Sequence, residues 1–235
     1  MKNKDALKIS LLAILFGVLL GVVILLLTGR DPFYLFYGLV RGASGLDLIK
    51  GGSINPRYIG EFIVASMPII LTGLSVAFAY RTGLFNIGAE GQLMVGACAS
   101  IATAVLFPQI PVVHMLVSVL AGIFAGAAWG FLPGILKSKF NLHEVVICIM
   151  MNYIGMYLAN YVYVQLPGSD TSRTALIPES ASLSNSFFES LTNHSRLNLG
   201  IFFVILAVLA YWFIIEKTSF GYGLRATGFN KDCLL

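Results

Sequence analysis

Apolar residues fall along this chain in long blocks divided by short polar stretches. Six blocks, near 9–28, 59–80, 88–107, 113–136, 144–164 and 198–215, have the length of a membrane crossing. A helix needs about 20 apolar residues to traverse the ~30 Å hydrocarbon core. Within the blocks Leu, Ile, Val, Ala and Gly follow one another without sustained polar alternation. Strands of a membrane β-barrel alternate with period two, so a barrel is a poor fit. The pattern predicts an all-α fold, a polytopic transmembrane helical bundle of about six spans in one domain over residues 1–235.

The connections carry their own signals. Asp31-Pro32 before Phe33-Tyr-Leu-Phe-Tyr37 predicts a short interfacial helix, and the Gly, Ser, Asn and Pro scattered through 42–57 predict a loop. Pro68 removes a backbone hydrogen bond inside the second span and predicts a kink near 64–68. Gly122, Gly126, Gly130 and Gly134 recur every fourth residue, which lines them along one helix face as a close-packing groove. Gly88, Gln92, Gly96 and Ser100 repeat the spacing more weakly, so the third and fourth spans are expected to pack together. Asn141-Leu-His-Glu144 has the spacing of a capping box. The polar stretch 165–197 is too long for a simple reversal and is expected to cover the outer mouth of the bundle.

The chain is 57% hydrophobic and 11% charged, with a net charge of +4. The placement of that charge matters more than its sum. Lys2, Lys4 and Lys8 precede the first span, Lys137 and Lys139 separate the fourth from the fifth, and Lys217, Arg225 and Lys231 follow the sixth. By the positive-inside rule these segments, and with them both termini, are cytoplasmic. A cleaved secretory signal is disfavoured, since the first apolar run is long and Leu27-Thr-Gly-Arg30 offers no small-x-small site. Three cysteines form neither a disulfide framework nor a zinc spacing.

Polar groups inside apolar runs are costly unless something retains them. The stretch Arg81 to Ala97 holds Asn86, Glu90, Gln92 and four glycines between two such runs, which points to a transport path. Glu90 should face a watery cavity or a donor. On the fifth span Asn152, Met156, Asn160 and Tyr163 share a face that should avoid lipid. Its amides either tie helices together or line a permeation wall, with Tyr153 or Tyr157 as a stacking surface. No G-x-x-x-x-G-K-[ST] loop occurs, so a P-loop ATPase site must be supplied elsewhere. His143-Glu144 begins a zinc-protease motif that Ile147 breaks, and Gly73-Leu-Ser-Val-Ala77 lacks the closing glycine of a serine-hydrolase elbow. Neither a catalytic residue, a metal site nor a cofactor is expected in this chain.

Arg81-Thr-Gly-Leu-Phe-Asn-Ile-Gly-Ala-Glu-Gly-Gln92 closely resembles the signature of permease subunits of bacterial ABC importers for nucleosides and simple sugars, within the ribose and branched-chain amino acid permease superfamily. Met67-Pro-Ile-Ile-Leu-Thr-Gly-Leu-Ser-Val-Ala-Phe78, His143-Glu-Val-Val with Met150-Met-Asn-Tyr153, and Thr218 to Asn230 agree in the same order. The form of the 84–92 segment is similar to the nucleoside branch. The resemblance implies a permease of the bacterial cytoplasmic membrane, importing nucleosides or, alternatively, simple sugars. It implies as partners an external binding protein or lipoprotein, a second permease subunit and a cytoplasmic ATPase that holds the ATP and Mg; nucleic acid is not among them. Asn86, Glu90, Gln92, Asn152, Tyr153 and Asn160 would then line the substrate path. Lys217, Gly221, Arg225, Gly228 and Asn230, in a glycine-rich loop after the sixth span, would touch the ATPase. The family pattern continues beyond Asn230 where this chain stops at Leu235, so an incomplete permease is expected; a non-transporting membrane scaffold or sensor is the alternative if this form is mature.

Overall fold

The computed structural model of the chain describes residues 2–49, 51–110, 112–170 and 172–229, with side chains from Leu7 onward. The side chains of Lys2 and Lys4, together with Asn230, Lys231 and Cys233, lie outside the described part. Six helices are long and apolar enough to cross a membrane, and the only strands among the described residues are two of two residues each. The chain divides into two compact units, Met1–Phe62 with Ser190–Ser195, and Ile63–Glu189 with Arg196–Leu235.

In the first unit α1 (Lys2–Leu27) exposes Leu11, Leu12, Ile14, Leu15 and Phe16 in succession. A helix that is apolar all round belongs in lipid or between other spans. It ends where Gly29 takes a positive φ and the Arg30 N–H reaches back to the Leu25 carbonyl. Asp31 Oδ1 accepts the Phe33 N–H at 2.8 Å and starts α2 (Phe33–Ser44). The helix therefore runs through 42–44, part of the predicted loop. It stops at Gly45, whose φ of 76° is left-handed and where a Cβ would lie 2.9 Å from the Asn55 carbonyl oxygen. The rest of that segment is an antiparallel pair, β1 (Leu46–Asp47) and β2 (Ser53–Ile54), before α3 begins at Pro56. Asp47 organises it: nearly fully buried, it accepts the Tyr37 hydroxyl at 2.6 Å and faces Arg41 at 3.7 Å. That hydrogen bond holds the Tyr37 phenol above its ordinary range. The Arg41 guanidinium stacks 4.1 Å over the Tyr58 ring, tying α2 to the first turn of α3.

The second unit holds the rest of α3 (Pro56–Arg81), then α4 (Ala89–Leu106), α5 (Val113–Phe140), α6 (Glu144–Gln165), the first four residues of α7 (Ser186–Leu191), α8 (Gly200–Lys217) and α9 (Ser219–Phe229). α3 is continuous through Pro68, whose carbonyl accepts the Thr72 hydroxyl at 2.8 Å. The predicted glycine groove is present between α4 and α5. A Cβ on Gly96 would lie 3.0 Å from the Gly122 carbonyl oxygen, and one on Gly126 would lie 3.2 Å from that of Gln92. Gly134, the last of the series, meets nothing. On α6 the contact face toward α4 is Cys148, Asn152, Gly155 and Ala159. Asn160 lies off it and is exposed.

Two expectations are corrected. The capping box does not form, because Asn141 adopts a left-handed conformation as the C-cap of α5 and donates its N–H to the Lys137 carbonyl. Glu144 instead pairs with Lys137 at 2.9 Å. The glycine-rich segment after the sixth span is a helix, not a loop: α9 covers Gly221, Gly223 and Gly228. Gly221 and Gly228 serve close approach in place of turns, while Gly223 meets nothing. A Cβ on Gly221 would meet the Ile214 carbonyl oxygen at 2.1 Å, and one on Gly228 the Arg81 carbonyl oxygen at 2.4 Å.

The stretch 165–197 contains a 3-10 turn at Glu179–Ala181 before α7. His114, fully buried near the start of α5, holds that turn through Nδ1 to the Ser180 hydroxyl at 2.8 Å and through Nε2 to the Ala104 carbonyl at 3.1 Å.

Candidate functional site

The connector from α3 to α4 turns at Gly83, where φ is 76°, and then presents Asn86 between Ser75 and Gln92. Asn86 Oδ1 accepts the Gly88 N–H at 2.9 Å, a local side-chain turn that fixes which way the amide points. Its Nδ2 must then face Ser75, and donates to the hydroxyl at 2.9 Å. Ser75 passes its own proton to Gln92 Oε1 at 2.8 Å. Three polar side chains from α3, the connector and α4 thus form one oriented chain inside an otherwise apolar region.

This chain borders a cavity of about 520 Å³, within the range of small-molecule sites. Phe78 and Phe85 add aromatic surface, and Gly126, Gly130 and Gly134 open the α5 wall. Lys137 and Glu144 line it as an ion pair, so the lining carries no uncompensated charge. Leu84, Phe85 and Glu144 also border a second cavity of about 430 Å³, which extends to Arg81, Arg225 and Gly228. There Glu216 takes Arg225 at 2.6 Å and Arg81 at 3.4 Å, joining the ends of α3 and α8 to α9.

Of the residues singled out for a path, Asn86 and Gln92 meet in the first cavity. Asn152 does not line it; its amide accepts the Gly91 N–H at 2.9 Å and donates to the Ile87 carbonyl at 3.0 Å, bracing the first turn of α4. Glu90 is exposed in that same turn and borders a separate groove with Thr72 and Tyr80. Its charge there complements the positive end of the helix. Tyr153 and Asn160 are exposed on α6. Among the coupling residues, Arg225, Gly221 and Gly228 are engaged within the chain as described, and the Lys217 ammonium sits 5.2 Å over the Trp212 ring. Ser75 and the Lys137–Glu144 pair were not singled out. The signal available for Ser75 was a hydroxyl on the α3 face one turn from Phe78; for the pair it was opposite charges flanking a short connector.

Six membrane-length helices, four of which (α3, α4, α5 and α6) line a neutral cavity bordered by amides, fit a membrane protein of the permease kind. Residues 58–234 match the family described as branched-chain amino acid transport system / permease component, and the chain belongs to that family. It is a multi-pass protein of the cytoplasmic membrane. It is 43% identical over 230 residues to the guanosine ABC transporter permease protein NupP of Bacillus subtilis, covering 98% of this chain and 64% of the relative. Against the nucleoside ABC transporter permease protein NupB of Lactococcus lactis it is 36% identical, covering 95% of this chain and 61% of the relative. A glucose ABC transporter permease protein of Haloferax volcanii is 30% identical over 73% of this chain and 47% of its own length. The chain thus spans less than two thirds of these relatives. No solved structure matches it.

Proposed function

We propose that this chain is the membrane-spanning permease part of an ATP-driven importer for nucleosides. The observation that carries the reading is the cavity at Ser75, Asn86 and Gln92: neutral, bordered by aromatic rings and oriented amides, and built from the segment that resembles the nucleoside branch. The likeness to guanosine and nucleoside permeases supports it. A binding protein delivers the substrate from outside, and a separate ATPase supplies the energy, since this chain has no P-loop. Both termini face the cytoplasm, and Lys217, Gly221, Arg225 and Gly228 of the α8–α9 corner, with Asn230, meet the ATPase there. Uptake of labelled guanosine by a strain carrying only the complete transporter is the test. Uptake abolished by deleting the permease is the expected result; absence of uptake of every nucleoside sinks the reading. A simple sugar is the second reading, favoured by the glucose relative. Excess unlabelled glucose or ribose displacing guanosine would reverse the order.

A further inference from the structure

We infer that Gln92 sets the base preference of this permease, its amide N–H groups reading the O6 and N7 acceptors of a guanine. This rests on the nucleoside reading above and deepens it. The direction of the polar chain decides the point. The Gly88 N–H occupies Asn86 Oδ1, so Asn86 turns its NH2 to Ser75. Ser75 accepts there and has one proton left, which goes to Gln92 Oε1. With Oε1 taking the Ser75 proton, Nε2 lies on the other side of the Gln92 amide. Among the described residues Nε2 has no hydrogen-bond partner. It lies at the α5 wall where Gly130 leaves room for it, since a Cβ at that position would come within 2.5 Å of the nitrogen.

Each amide oxygen thus already accepts a hydrogen bond, whereas Gln92 Nε2 donates none, so the free capacity at Gln92 is weighted toward donors. An NH2 group has two protons, and Asn86 commits one of its own to Ser75. A sugar hydroxyl both donates and accepts, so a donor-weighted face gives it no particular advantage. Guanine O6 and N7 form an edge of two adjacent acceptors, whereas adenine presents an amino donor beside N7. The Lys137–Glu144 pair leaves the cavity neutral, which fits an uncharged nucleoside better than a nucleotide.

The test uses the complete transporter with its receptor and ATPase, comparing guanosine with adenosine uptake in wild type and in Gln92→Glu. Glutamate keeps an acceptor for Ser75 and replaces the free donors by an acceptor. The guanosine-to-adenosine ratio should fall about tenfold or more, as expected when a polar contact is turned against its partner. The receptor is common to both strains and cancels. A fall in both uptakes at an unchanged ratio, or no change at all, overturns the inference and leaves the nucleoside reading standing. Should Gln92→Glu fail to assemble, wild-type competition decides: 7-deazaguanosine, lacking the N7 acceptor, should compete about tenfold less well than guanosine after correction for receptor affinity. Equal competition overturns the inference. No nucleoside uptake by the wild-type complex overturns both.

Discussion

At Gly130 and Gly96 the same missing side chain serves different ends. A Cβ on Gly130 would strike the mobile end of Gln92, while one on Gly96 would strike the Gly122 backbone at 3.0 Å. Gly130→Ala should leave thermal stability within a few tenths of a kcal/mol of wild type, as for substitutions that a side chain can absorb, yet raise the KM for uptake. Gly96→Ala should cost about 1–3 kcal/mol, because two helices must part; thermal unfolding in detergent checks both. Asn152→Ala strips partners from the Gly91 N–H and the Ile87 carbonyl and should cost about 1–3 kcal/mol in the same measurement. Asn86 and Gln92 were legible because an amide in an apolar run stands out. Ser75 was not, since a serine in a helix can satisfy itself on its own backbone. Asn152 was legible as a polar group turned from lipid, and it is half-buried, but spacing alone could not tell a brace from a path.

The α8–α9 corner is the element that sequence described least well. Gly221, Gly223 and Gly228 read as turn formers, because glycine's low helix propensity says nothing of a neighbour that needs the space. Arg225 read as a free anchor for a partner, and it is paired with Glu216. Each of these half-exposed ion pairs is worth about 0–1 kcal/mol, so together they orient α9 more than they stabilise it. If Arg225 acts by orienting α9, Arg225→Ala and Glu216→Ala should weaken ATPase co-purification to a similar degree, and the double variant should be no worse than either alone. Loss with Arg225→Ala only would assign the arginine a direct contact with the ATPase. The glycine groove of α4 and α5, by contrast, was legible at Gly122 and Gly126, because a recurrence every fourth residue shares one helix face, whereas Gly134 meets nothing.

For the molecule, the membrane helices lie within a few residues of the apolar blocks, since span length is set by the bilayer and hardly by packing. The small fold at Tyr37, Asp47 and Tyr58 was not legible: it depends on one buried carboxylate finding a phenol ten residues away in sequence. The side of the membrane on which each end lies is tested by single cysteines in a cysteine-free background. A cysteine at Lys217 should react with an impermeant maleimide only in inverted vesicles, and one at Leu176, which is 94% exposed, only in intact cells. The backbone-to-backbone seam along Gly96, Gly122 and Gly126 has a mechanical corollary. With little side chain between them to slide or re-pack, α4 and α5 are expected to move as one, a stator. A stroke that reshapes the cavity is then expected of α3 and α6, which supply the other helical walls.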